Sequence, residues 1–521
     1  MHVRISRFLS ILAALVFAAA APAAGAGSPL WGQLAPGPYA VGFRQIERYD
    51  HSRVFRPPVD LAGKAVTGER SRPLRISVWY PADPSAEPPL TLGDYITLIG
   101  AEEHLGPVTA ADAEASRREL YRFPLLDQAT PEQRRRLEAL PSGAVREARP
   151  AAGRFPVILY SLGSAAVGHV TPELLASHGY IVAQAPRLGA YAGLPSDGRD
   201  RFDQEAKVRD LEFVLSTMDE IASADLQSLG TVGFSAGGRW ALSMAMRSWN
   251  VKAVVSLDTV MLFDDAVSRE WRALPLYDPE AVRVPVLHLV RRAWVPQETS
   301  DLWSRMRYAE RIRLVFEDPG LDHFDFQSIG YAMTLAGMRP AVAPAVADTF
   351  HRFNRLTLAF FDAHLKGKRA PESLSDLRTL PGVVTAEVTP SLPTPRTEAQ
   401  LFASLDQYGQ EETLAVYRRL WRETGQPPVP ESALNLAGYV RLLTGSVREA
   451  IEIFQLNTEA FPRSANALDS LADAWLAAGD RGRARELTER ALALLEADTA
   501  LPAERRARIR ESIEARLKAV S

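Results

Sequence analysis

The chain has 521 residues, 46% of them apolar and 24% charged, with a formal net charge of -3. That length accommodates about two to four domains, and the near-neutral balance gives no electrostatic ground for binding nucleic acid or an acidic membrane. Cysteine is absent, which excludes disulfides, thiolate metal sites and a cysteine nucleophile; with no HExxH or comparable spacing either, the expected chemistry needs no metal and no cofactor.

Arg4 and Arg7 precede an apolar run at 8–21, followed by Pro22 and small residues. Ala24-Gly25-Ala26 supplies a small-x-small cleavage pattern, with Ala21-Pro22-Ala23 as a second candidate. This is the order of a secretory signal peptide, expected over 1–26, and it implies a bacterial periplasmic or secreted protein. The alternative is an uncleaved anchor, for which the run falls short of the roughly 20 residues a bilayer core requires. No later stretch is long and apolar enough to span a membrane.

Segments 37–43 (GPYAVGF) and 74–80 (LRISVWY) read as strands. From 82 to 150 the pattern turns helical, charged and proline-interrupted, with short helices at 110–121 and 131–140. This segment reads as an insertion and a candidate cap over a site. Strand and helix then alternate. Strands are expected at 156–160, 180–185, 231–234, 253–257, 285–290 and 313–316. Helices are expected from Thr171 to Gly179, at 202–218, from Gly237 and at 348–365. Short apolar strands alternating with helices predict a mostly parallel sheet covered on both faces, an α/β domain over 27–379.

Residues 380–397 hold Pro381, Pro390, Pro393 and Pro395 and read as a linker. Beyond it, 398–521 is helical throughout. Gly445 recurs as Gly479, Ala450 as Ala484, and the small Gly438 as Ala472, each 34 residues on. That is the period of tetratricopeptide repeats, here at about 431–464 and 465–498. A degenerate helical pair precedes them, and 502–520 is placed to cap the stack. Two repeats are few for an independent receptor, so they are expected to pack on the α/β domain or mediate protein–protein contact.

The sharpest local motif is Gly233-Phe234-Ser235-Ala236-Gly237, a G-x-S-x-G entered by a short apolar strand and left by a helix. Such an elbow needs glycines because the serine is strained and neighbouring backbones approach closely. Ser235 is therefore the candidate nucleophile, and a serine hydroxyl needs a base. Of nine histidines, His288 lies inside a strand, His178 caps a helix and His364 lies in the last helix of the domain. His323 instead sits in Gly320-Leu321-Asp322-His323-Phe324, a loop at the carboxyl end of a late strand, where active groups of open α/β sheets collect. Asp258, ending the strand 253–257, leads as the acid that orients His323. Glu298 and Asp301 are the competitors, and Asp322 and Asp325 are too close in sequence to His323. The order Ser235, Asp258, His323 is that of α/β-hydrolases. Ala236 N–H is one candidate oxyanion donor, and Ser164 or Leu162 in the loop after 156–160 is the other.

Residues 37 to about 370 resemble the bacterial α/β-hydrolases related to platelet-activating-factor acetylhydrolases and dienelactone hydrolases. The resemblance is carried by WYPA at 79–82, FPVILYSLGS at 155–164, SHGYIVA at 177–183 and GFSAGG. VVSLD ending at Asp258, DHFDF around His323 and FFDAHLKG at 360–367 complete it. It implies serine-esterase chemistry, with the acid at Asp258 and the oxyanion donors at Ser164 and Ala236. Two departures stand out: Ser161-Leu162-Gly163 replaces the usual Ser-His-Gly, and the cysteine nucleophile of dienelactone hydrolases proper is impossible here. Separately, 454–476 is similar to tetratricopeptide tails of exported bacterial serine hydrolases. The expectation is an exported, cofactor-free hydrolase of a small-molecule ester or lipid-like substrate. Its rivals are another acyl-transfer enzyme on the same triad (thioesterase, peptidase or acyltransferase) and a silent hydrolase fold serving repeat-mediated protein binding.

Overall fold

A computed structural model describes residues 28–123, 125–161, 163–194, 200–339, 344–368, 377–497 and 503–520. The expected signal peptide at 1–26 and the departure at Leu162 lie outside the described residues. The chain divides between Leu392 and Pro393 into two compact units.

The first unit is built on one ten-stranded sheet. In chain order its strands are β1 (Ala40–Val54), β2 (Ser71–Ala82), β3 (Ala144–Arg146), β4 (Phe155–Ser161) and β5 (Ile181–Gln184). They are followed by β6 (Ala224–Phe234), β7 (Val251–Leu257), β8 (Val286–Arg291), β9 (Arg311–Phe316) and β10 (Val383–Thr389). Across the sheet the order is β10-β9-β8-β7-β6-β4-β5-β2-β1-β3. The strands from β5 through β4, β6, β7 and β8 to β9 run parallel, whereas β1, β2 and β10 add antiparallel pairings at the two sides.

The central strands are apolar on both faces, as a sheet covered twice requires. Ile158 and Tyr160 of β4 join one core, and Val157 and Leu159 the other. β7 divides the same way, with Val255 and Leu257 on one side and Val254 on the other. The chain leaves β4 for β5 on one flank and returns to β6 on the other flank. Where connections diverge like this, a crevice opens at the carboxyl ends of the strands.

Residues 82–150 do more than decorate this sheet. Leu92, Tyr95, Ile96 and Leu137 are buried in the same core as Ile158 and Val232, and β3 pairs in parallel with β1. A buried carboxylate, Glu173, anchors the segment by accepting from Trp31 Nε1 (2.9 Å), Tyr95 Oη (3.0 Å) and Gly143 N–H (2.8 Å).

The expected linker at 380–397 is corrected in its first half. Residues 383–389 (VVTAEVT) form β10, paired antiparallel with β9 from Val383↔Phe316 to Thr389↔Arg311. The prolines that mark a linker here flank the strand and end it rather than prevent it. The divide between the two units therefore follows the strand.

The second unit is all helical: Glu398–Thr424, Glu431–Leu443, Val447–Ala460, Ala465–Ala477, Arg481–Ala497 and Ala503–Val520. The first of these breaks at Gly409, where φ is 77°, so it is in effect a helical pair. Gly445 and Gly479, the residues 34 apart in sequence, both have φ of 85° at the turn following a helix, a conformation that suits glycine as a helix terminator. Gly438 lies so close to the Phe454 ring that a Cβ would collide with it. Small residues at these positions let neighbouring helices close together.

A buried ion network at the start of β2 holds the helix Arg201–Met218 to the sheet. Asp210 accepts from Arg72 Nε and Nη2, both at 2.6 Å, and from Arg53 Nη1 at 2.8 Å. Removing one member of such a network strands the others without compensation. Asp210→Ala is expected to lower stability by about 3–5 kcal/mol, read as a shift in the urea unfolding midpoint.

Candidate active site

Ser235 stands where β6 ends and the helix Gly237–Arg247 begins, with φ of 52°. A non-glycine residue in that region carries strain of about 1–3 kcal/mol, and it persists only where its surroundings enforce it. They do so here: Ser235 N–H donates to Leu257 O (3.2 Å) and Val260 N–H donates to Ser235 O (3.3 Å), stitching the elbow to the end of β7. A Cβ at Gly233 would run into Gly237 O and Gly238 N, and one at Gly238 would run into the Thr259 side chain. The glycines are demanded by close packing.

Asp258 follows β7 and is fully buried, also with positive φ, 43°. Its N–H donates to Leu289 O at 2.7 Å. One carboxylate oxygen accepts from Arg291 N–H at 3.0 Å; the other lies 2.7 Å from His323 Nδ1 and 2.9 Å from Arg291 Nε. A carboxylate only accepts, so His323 donates from Nδ1, an arrangement that in the neutral imidazole puts the lone pair on Nε2. The His323 ring is held between Phe234 (centroids 4.4 Å apart, 22° between planes) and Trp294 (4.5 Å, 31°). Its loop is fixed by a capping box in which Asp322 and Asp325 bond each other's ends of a single turn.

Ser235, Ala236, Ser164 and His323 all line one cavity of about 230 Å³, together with Gly163, Val167, Phe234 and Phe324. Ile99, Glu119, Leu120 and Phe123, from the 82–150 segment, complete its wall. Ser164 caps the short helix Ala165–Gly168 after β4, and Gly163 O accepts from Gln184 Nε2 at 2.6 Å. The cavity thus sits over the β4–β6 divergence, with walls supplied by both the sheet and the inserted helices. Among the described residues no group of three or more His, Asp or Glu is arranged to hold a metal ion.

Of the two competitors, Glu298 and Asp301, the first is engaged elsewhere. Glu298 bonds His288 Nε2 at 2.8 Å and pairs with Arg313; Asp325 pairs with Arg339. His288 Nδ1 lies 2.8 Å from Ser256 Oγ, which lies 2.6 Å from Thr259 Oγ1, the side chain that packs on Gly238. This buried chain runs directly behind Asp258 and props the elbow. His178 bonds Leu174 O, closing its helix, and His364 packs on Phe360. Sequence reasoning passed over Arg291, Trp294, Arg187 and Glu119, because an arginine or tryptophan after a strand belongs to no spacing pattern.

The sheet, the elbow and the Asp–His pair define an α/β-hydrolase-like fold with its polar groups at the carboxyl edge. A family model described as Chlorophyllase matches residues 129–283, a span that includes Ser235 and Asp258 and stops before His323. No curated protein matches the chain. Among solved structures, a ferulic acid esterase from Streptomyces cinnamoneus is similar at 21% identity and a TM-score of 0.42, over 65% of this chain and 94% of that one.

Burial pushes the Glu298 carboxyl up, but His288 and Arg313 outweigh it and hold it below its ordinary value of 4.5. A depressed carboxyl stabilises the fold above the unfolded value and loses that contribution as pH falls through the folded value. Glu298→Gln is therefore expected to destabilise the protein by about 1–3 kcal/mol at pH 7. It should also flatten the fall in Tm below pH 4.5, a dependence that calorimetry across pH 3–7 would measure; an unchanged acid limb would contradict the network.

Proposed function

We propose that the chain is an exported serine hydrolase of carboxylic esters. The observation that carries this reading is the 2.7 Å contact between His323 Nδ1 and Asp258, on the wall of the cavity where Ser235 sits strained at a helix head. The match of the chlorophyllase family model across the elbow supports it at the level of an ester-cleaving α/β-hydrolase.

In the proposed reaction Ser235 Oγ attacks the ester carbonyl carbon while His323 Nε2 takes the hydroxyl proton. Asp258 orients the imidazole and balances its positive charge. The oxyanion of the tetrahedral intermediate is held by the N–H groups of Ala236 and Ser164, aided by the amino end of the helix Gly237–Arg247. Collapse breaks the bond to the alcohol oxygen, which leaves with the proton from His323. Water then attacks the acyl-enzyme, giving its proton to His323, and the acid departs as Ser235 regains its own. No cofactor takes part. The helical second unit is proposed as a tetratricopeptide-like module for protein contact, and export rests on the signal-like residues 1–26.

Ser235→Ala should abolish both labelling by a fluorophosphonate and hydrolysis of 4-nitrophenyl butanoate while leaving the unfolding midpoint unchanged. Retained labelling would sink the assignment. Asp258→Asn should lower kcat by about 10³- to 10⁴-fold, because the asparagine amide favours the wrong imidazole tautomer.

A further inference from the structure

The cavity around Ser235 borders two hollows of opposite character. One, of about 30 Å³, shares Leu120, Phe123, Val167 and Phe324 with it and extends to Leu126 and Met333. Every side chain lining it is apolar. The other, of about 540 Å³, shares Ile99, Glu119 and Arg187 with the cavity and is lined by charged side chains, Arg118, Arg122, Glu102 and Glu103 among them. Arg187 touches both the cavity and this bay.

The charges of the bay are unequally engaged. Glu103 accepts from Gly193 N–H at 2.8 Å, and Glu102 accepts from the Arg187 backbone N–H at 2.9 Å. Burial pushes the Glu102 carboxyl up against the opposing pull of Lys207 and Arg187. Arg118 pairs with Glu114 on its own helix. The Arg187 guanidinium makes one long contact, Nη1 to Glu119 at 3.5 Å, feels the Glu102 carboxyl through space, and is 30% exposed. Arg122 makes no ion pair among the described residues. The donors of Arg187 are thus largely unspent beside the reacting serine, and a planar guanidinium offers two parallel bonds to a carboxylate. Glu102, Glu103 and Glu119 face Arg118, Arg122 and Arg187 around the bay, a balance that suits one singly charged group better than a dianion.

We infer that Arg187 determines specificity by binding a carboxylate on one side of the ester, while the apolar group on the other side fills the hollow reaching Leu126 and Met333. The inference rests on the esterase reading and adds the substrate class: amphiphilic esters that are acidic at one end.

Two matched pairs of esters test it in the full chain. 4-Butanoyloxybenzoate against its methyl ester places the charge on the alcohol side; phenyl hydrogen adipate against phenyl hexanoate places it on the acid side. One of the acidic esters is expected to exceed its neutral partner in kcat/KM by about 10- to 100-fold, the worth of a charge-assisted hydrogen bond. Arg187→Gln should bring the preferred acidic ester down to the kcat/KM of its neutral partner, and Arg187→Lys should restore part of the preference. A loss of folding or of the catalytic geometry would instead depress all four esters alike. Turnover of 4-nitrophenyl butanoate with no preference for either acid, or a preference that survives Arg187→Gln, overturns this inference alone. Absence of any Ser235-dependent turnover overturns the esterase reading and this inference with it.

Discussion

Asp258 is a carboxylate with no exposure to water, placed where three strand ends meet. Its backbone bonds to β8, its side chain takes the N–H of Arg291 at the end of β8, and it holds His323 from the loop beyond β9. Such a charge is tolerable only because each oxygen is satisfied and the Arg291 guanidinium lies 2.9 Å away. The cost of burying it therefore enforces the alignment of β7, β8 and the His323 loop. Because Ser235 is bonded to residues on either side of Asp258, the same constraint reaches the elbow.

Rigidity around that carboxylate is built in layers. Phe234 and Trp294 clamp the imidazole by its faces, leaving rotation of the ring little freedom. Behind them, Ser256, His288 and Glu298 form a buried polar chain that ends at Thr259 against Gly238. Preorganised groups of this kind lower a barrier because little reorganisation remains to be done during reaction. Two non-glycine residues with positive φ, Ser235 and Asp258, sit at adjacent strand ends, and such strain persists only where the surroundings enforce it.

The inserted helices give the site its selectivity in the proposed scheme. Leu120 and Phe123 face the apolar hollow, and Glu119, one residue away, contacts Arg187 beside the polar bay. One turn of helix thus contributes to both ends of a substrate. The same segment is anchored by the Tyr95–Glu173 bond and by Leu120, which is buried in the core against the sheet.

Local pattern was enough to read the alternating strands and helices, the G-x-S-x-G elbow and the 34-residue recurrence, since each depends on residues near one another in the chain. Ser235, Asp258 and His323 could be nominated because each falls at a strand's carboxyl end, a position that hydrophobic runs reveal. β10 could not be, because its pairing with β9 outweighs the prolines beside it and that partner lies far back in sequence. Nor could the burial of 82–150, whose apolar positions are scattered among charges and gain meaning only against the sheet. The roles of Arg291, Trp294 and Arg187 were equally hidden. A charge is paired or left free by what folding brings across space, and that proximity is a property of the tertiary structure alone.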